Sequence, residues 1–193
     1  GTSLGGMIAQ ELVLRHPRCV RSLVLAATTP GKTEGMSLRP RGVLAIAVGS
    51  LMPPRLRARV TSLATLSLET RRDRPALLDY RAGILKQNPT AFKGLIGQAF
   101  AIFGHRAADR LFQIKVPTLV IHGNADNLID CRNATHLARL IPAARLEFWE
   151  GTGHDLATES PGRLAASVRR HVQDAIASPH VRQSEKDEDQ SAV

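Results

Sequence analysis

Gly1-Thr2-Ser3-Leu4-Gly5-Gly6-Met7-Ile8-Ala9-Gln10 opens the chain, and its reading decides how the rest is understood. The first five residues fit G-x-S-x-G, in which small residues flank a serine on a sharp turn. The hydroxyl then projects above a sheet and a helix starts close behind. Taken alone the pentapeptide is a weak signal, since Ser3 also suits a helix N-cap. The residues after it carry more. Across 5–15, Met7, Ile8, Ala9, Leu12 and Leu14 fall at helix-like spacing, and His16-Pro17 is a stop. Ser22-Leu-Val-Leu-Ala-Ala27 is then a short unbroken apolar run, the pattern of a strand buried on both faces of a parallel sheet. Thr28-Thr29-Pro30-Gly31 breaks it.

Between about residues 36 and 114 no such strand recurs. The sequence there reads as amphipathic helices around Leu44 to Leu51, Leu63 to Leu68, Pro75 to Leu85 and Ala91 to Phe103. After Pro117, Thr118-Leu-Val-Ile-His122 is a second buried strand, closed by Gly123-Asn124-Ala125-Asp126. Residues 131–141 form a helix with Ala134, Leu137 and Leu140 inward. Arg145-Leu-Glu-Phe-Trp-Glu150 is a third strand whose alternation suits a more exposed place in the sheet. Gly151-Thr152-Gly153-His154 is a loop, and a last helix runs from Pro161 to about Ala177, with proline suited to its first turn. Strands alternating with helices imply an open α/β sheet with crossover connections, where chemistry collects at the carboxyl ends of the strands. Asp126 and His154 both fall there.

Together these stretches resemble the α/β-hydrolase family. The segment from Gly1 to Gln10, the His16-Pro17 pair and Val20-Arg-Ser-Leu-Val-Leu-Ala26 look like that family's nucleophile elbow, helix and next strand. Val116-Pro-Thr-Leu-Val-Ile-His-Gly-Asn-Ala-Asp126 resembles its acid-bearing strand and loop, and Gly151-Thr-Gly-His154 its histidine loop. The resemblance implies a mostly parallel sheet with a helical cap insertion. It divides the chain into a partial core at 1–30 and 115–178, a cap at 31–114 and a polar, disordered tail at 179–193. It also implies that the early strands of the fold are missing from this chain, as expected of a partial sequence that starts inside a motif.

In this reading Ser3 is the nucleophile, His154 the base that takes and later returns its proton, and Asp126 the carboxylate that orients the imidazole. The backbone N–H of Leu4 supplies one oxyanion donor, and the second would lie upstream of Gly1. Asp130 competes with Asp126, but its place just before the 131–141 helix suits an N-cap. His122 competes with His154, but a strand-end histidine before a glycine suits packing. Asp155 is expected to point elsewhere, and His16, His105, His136, His171 and His180 have no partner motif. Trp149 and Phe148 read as packing residues of the last strand. Met36, Leu44, Leu51, Met52, Phe92, Leu95, Phe100 and Phe103 either line an acyl pocket under the cap or pack its helices together.

Composition narrows the alternatives. The 193 residues, 43% of them hydrophobic, suffice for one core of ordinary size. No apolar run of about 18 residues and no signal-like N-terminus occurs, so a membrane span is not expected and a cytoplasmic location is the default. The net charge of +9 raises the question of nucleic acid, but the arginines are spread along the length without a recognition motif. Cys19 and Cys131 lie far apart, with no metal-ligand spacing, and no cofactor is implied. The expected function is a serine hydrolase that opens a small-molecule carboxylic ester, thioester or lactone through an acyl-enzyme. The alternatives are a metal-free perhydrolase or haloperoxidase-like enzyme using the same three residues, and a non-catalytic remnant or binding module of the fold.

Overall fold

Three parallel strands in the order β1 (Leu23–Ala26), β2 (Thr118–Gly123), β3 (Ala144–Trp149) organise the molecule. The computed structural model describes residues 1–31, 38–88, 92–142 and 144–177. Met36, the side chain of Phe92, His180 and the polar tail lie outside them. Leu23 stands opposite Thr118 and Ala26 opposite Ile121, and the second ladder runs from Thr118 against Ala144 to Gly123 against Trp149. Residues 1–3 lie along the other edge of β1. Thr2 bridges Ala26 in parallel, the Ala26 N–H donates to the Gly1 carbonyl at 2.9 Å, and the Ser3 N–H to the Ala26 carbonyl at 2.9 Å.

The central strand β2 is buried along its whole length, which explains its unbroken apolar sequence. Its alternate side chains feed two cores. Val120 joins Leu23 and Leu25 on the face covered by α1 (Leu4–Arg15) and α7 (Arg132–Leu140), with Val13, Leu137 and Ile141. Leu119 and Ile121 join Ala26, Trp149 and Leu156 on the face covered by α8 (Leu156–Glu159) and α9 (Pro161–Ala177). The short helix α8 is absent from the sequence reading. On β3 only Trp149 of the two aromatic residues is buried; Phe148 faces outward, as strand alternation requires.

Helix α1 buries Gly6, Met7, Gln10 and Val13, whereas Ile8 is 61% and Leu12 48% exposed. Apolar residues nearly encircle this helix, so periodicity alone did not identify its inward face. That face is set by the approach of Gly6 to Thr28 and by Gln10, whose amide donates to the Thr29 carbonyl at 3.1 Å.

Among the described residues five α-helices lie between β1 and β2: α2 (Pro40–Ser50), α3 (Pro54–Thr65), α4 (Leu68–Asp73), α5 (Ala76–Gln87) and α6 (Phe92–Gly104). The stretch read as one helix from Leu63 to Leu68 is in fact a boundary. Leu66 turns inward, and Ser67 caps α4 by accepting the Thr70 N–H at 3.2 Å. A short 3-10 helix, Ala108–Gln113, leads into β2. Among the described residues no helix is long and apolar enough to cross a membrane.

Candidate functional site

The carboxyl ends of the strands bring together residues far apart in sequence. At the first of these ends Ser3 has φ 53° and ψ −121°, a left-handed backbone rare for a non-glycine residue. Such a conformation costs about 1–3 kcal/mol and persists only when its surroundings enforce it. Here the Ser3 N–H is tied to Ala26, and its carbonyl accepts the Thr28 hydroxyl at 2.7 Å and the Gly6 N–H at 2.9 Å. The turn requires glycine at position 1, where a Cβ would overlap the Gly5 carbonyl. The second glycine of the pentapeptide does not carry the crowding. A Cβ on Gly5 would meet open space, whereas one on Gly6 would stand 2.6 Å from the Thr28 Cβ.

The end of β2 supplies His122, Gly123 and the turn to Asp126. A Cβ on Gly123 would collide with the Thr152 carbonyl, so the histidine loop lies directly over this turn. Two further bonds lace the loops together: the Ala125 N–H donates to the Thr152 carbonyl at 3.0 Å, and the Gly151 N–H to the Asn124 Oδ1 at 2.8 Å.

Asp126 is almost fully buried, and its carboxylate accepts four hydrogen bonds. Oδ1 takes the N–H groups of Leu128 (2.7 Å) and Ile129 (2.9 Å); Oδ2 faces His154 Nδ1 at 2.8 Å and His122 Nε2 at 3.0 Å. Burial pushes the carboxyl pKa up. The bonds from His122 and then His154 outweigh it and hold the group well below the usual carboxylate range. His154, also buried, turns its other nitrogen, Nε2, to the Ser3 Oγ at 3.0 Å. Since Nδ1 faces a carboxylate, it carries the proton, and Nε2 is left to accept the serine hydroxyl. The result is a continuous path for a proton from a strained serine to an imidazole backed by a buried anion.

Of the two rivals, Asp130 serves the next helix, accepting the Arg132 N–H at 3.0 Å and pairing with its guanidinium, which lowers its pKa. His122 departs from the packing role expected of it. Fully buried, it bonds the same oxygen as His154, and its Nε2 also lies 3.2 Å from the Ile129 carbonyl. Both neighbours are acceptors, so Nε2 carries the proton. Asp155 does point elsewhere, to Thr158 and Arg81.

Beside Ser3 and Leu4 opens a cavity of about 460 Å³, lined by Met7, by one face of α2 including Ala47, by Leu51 just after it, by Leu95, Ala99 and Phe103 of α6, and by Ile129. Its polar lining side chains are Ser3, Ser50 and Gln98. Of the residues expected there, Leu51, Leu95 and Phe103 line it. Leu44, Phe100 and Met52 are not part of the wall, and Leu51 and Phe103 border the cavity while remaining largely exposed.

Over residues 1–161 the chain matches the family described as serine aminopeptidase, S33. Polyketide synthase ThaQ of Burkholderia thailandensis is 30% identical over 174 residues, 80% of this chain and 7% of that protein. A pimeloyl-[acyl-carrier protein] methyl ester esterase of Aromatoleum aromaticum is 32% identical over 164 residues, 80% of this chain and 65% of the esterase. In structure the chain is similar to MGS-M2, an α/β-hydrolase enzyme from a Medee basin deep-sea metagenome library. The TM-score is 0.77 at 20% identity, over 90% of this chain and 63% of that one. The chain thus spans less than two thirds of the length of each of these proteins. Its match over most of its length and its parallel, helix-covered sheet give one assignment: the chain belongs to the serine aminopeptidase S33 family of α/β-hydrolases.

Proposed function

We propose that the protein is a serine hydrolase that opens a carboxylic ester, thioester or lactone with an apolar acyl group through an acyl-enzyme. The observation that carries this reading is the chain of contacts from Ser3 Oγ through His154 to Asp126, at 3.0 and 2.8 Å. Ser3 Oγ attacks the carbonyl carbon while its proton passes to His154 Nε2; Asp126 stabilises the imidazolium that results. The oxyanion faces the N–H of Leu4, the first residue of α1 and so one of the helix N–H groups with no intrahelical acceptor. On collapse His154 returns the proton to the leaving alcohol, thiol or hydroxyl. Water then repeats the cycle on the acyl-enzyme.

The helices between β1 and β2 act as the cap in this reading, and the cavity under α2 and α6 takes the acyl chain. Its nearly unbroken apolar wall favours an uncharged acyl group. The esterase relative, named for a methyl ester, lends support to ester chemistry.

The test is labelling with a fluorophosphonate. The protein is expected to label at one serine, Ser3→Ala to abolish labelling and to lower kcat by roughly 10⁶. Labelling that survives the substitution removes Ser3 from the mechanism, and no labelling of a folded protein favours a non-catalytic remnant. Peroxide-dependent bromination by the same preparation would point to the perhydrolase chemistry instead.

A further inference from the structure

We infer that Glu159 is a positioning residue, a clasp that fixes the histidine loop to the turn between α3 and α4 and so couples the seating of the helical segment to the aim of His154. The inference rests on the proposed role of His154 as the base.

The Glu159 carboxylate collects four donors from two distant stretches. Oε1 accepts the Gly153 N–H at 3.0 Å and the Ser67 N–H at 2.9 Å. Oε2 accepts the hydroxyls of Ser67 at 2.7 Å and Thr70 at 2.9 Å. Glycine at 153 is what lets the carboxylate lie so near the loop, since a Cβ there would stand 2.5 Å from Oε1 and 2.7 Å from the Ser67 nitrogen. The residue after His154 is held to the same turn: the Asp155 N–H donates to the Thr65 carbonyl at 2.8 Å, and Arg81 reaches the Asp155 carboxylate at 3.0 Å. Arg74 closes the set on the Glu159 carbonyl at 3.1 Å.

His154 therefore has both neighbours in the chain bonded to, or bridged to, residues 65–67, while its ring contacts Asp126 and Ser3. The backbone that aims the imidazole is set by the helical segment as much as by the sheet. A shift of the Leu66-Ser67 turn would reach Nε2 through two short rigid links, Glu159 to Gly153 and Thr65 to Asp155. None of these bonds touches the cavity, so the clasp acts on the chemical step and not on substrate fit.

The test compares steady-state kinetics per labelled active site in wild type, Glu159→Ala, Glu159→Gln and the pair Ser67→Ala/Thr70→Val. Misplacing a catalytic group by about 1 Å can cost about 10²-fold, so Glu159→Ala is expected to lower kcat per active site by about 10- to 100-fold with KM little changed. Glu159→Gln keeps an acceptor for both N–H groups and is expected to restore most of the rate. The hydroxyl pair is expected to lower kcat in the same direction, and combining it with Glu159→Ala to add little further loss, the signature of one shared interaction. Should Glu159→Ala fail to fold, Thr70→Val alone, which removes one Glu159 contact and leaves the Ser67 cap of α4 in place, carries the same comparison. A purely structural role would reduce the number of labelled sites and leave kcat per site unchanged, and that result overturns the clasp. Absence of Ser3 labelling in the wild type would instead overturn the functional reading on which it rests.

Discussion

His122 directs its Nε2–H, from full burial, to Asp126 Oδ2 at 3.0 Å, the oxygen that also receives His154. One carboxylate oxygen is thus fixed from two sides, and Asp126 cannot rotate toward one imidazole without losing the other. His122→Ala removes this constraint and leaves the Ile129 carbonyl without its donor. We expect a stability loss of about 1–3 kcal/mol by urea unfolding and a fall in kcat. Loss of stability with kcat intact would reduce His122 to packing.

The same substitution has a pH signature. Asp126 is held below the usual carboxylate range, so its contribution to stability is present above the unfolded-state value and is lost as pH falls through the folded-state one. Without the His122 bond the folded-state value rises. Acid unfolding of His122→Ala should accordingly begin at a higher pH than in the wild type. Superimposable acid transitions would show that the bond does not hold the carboxylate ionised.

The two glycines after Leu4 are expected to respond oppositely to alanine. Gly6→Ala pushes a methyl into Thr28 and should cost about 1–3 kcal/mol as overpacking. Gly5→Ala meets open space within a helix and should be neutral or stabilise by up to about 1 kcal/mol. Thermal unfolding of both variants decides this, and equal losses would mean that the motif position, not the contact, sets the requirement.

How much of this was legible in the sequence depends on where each signal lies. Ser3, Asp126 and His154 stand in glycine-bearing loops at strand ends, and the resemblance of the combined motifs to the α/β-hydrolase family, not any one local pattern, singled out three residues that the fold brings into contact. That β2 is buried and β3 holds a more exposed place in the sheet was equally open to reading, from the unbroken apolar run of the one and the alternation of the other. His122 was misjudged because alternation along a strand gives a face but not a reach, and its partner sits past the following turn. Glu159 gave no signal at all. Its partners Ser67 and Thr70 are about ninety residues away and lie at a helix break that the apolar spacing of Leu63 to Leu68 concealed. Leu44 and Phe100 were indistinguishable from Leu51 and Phe103 by composition; all four are exposed, and only their positions along the helices decide that the latter two border the cavity.

Below neutrality the buried His105 and His171 and the partly buried His136 should weaken the fold. Burial lowers the pKa of His105, His136 and His171, so the unfolded chain binds protons first as pH falls. Stability is then full above the unfolded histidine value and declines as pH drops through it toward the folded values. A thermal midpoint that falls between about pH 7 and 5, the range in which histidine charges, is the expected result. His171→Asn should flatten the slope, and an unchanged slope would exclude His171 as a contributor.

Filling the cavity should shorten the preferred acyl chain. A buried methylene contributes about 0.8 kcal/mol, so kcat/KM for p-nitrophenyl esters should rise by up to about fourfold per carbon until the cavity is full. Ala99→Leu, on the cavity wall, should lower kcat/KM for the longest good substrate by about tenfold and spare acetate. A uniform loss across the series would place the acyl chain elsewhere.

Ser3 and His154 meet across 151 residues, with the whole helical segment and the strands β1, β2 and β3 between them. Ribosomes add about 5–20 residues per second, so the serine exists for roughly 8–30 s before its base has been made. In the proposed mechanism the serine has no base until His154 has been made and seated, so ester chemistry would wait on the packing of the histidine loop over the strand ends. The long excursion between nucleophile and base thereby delays the onset of chemistry until folding is nearly complete.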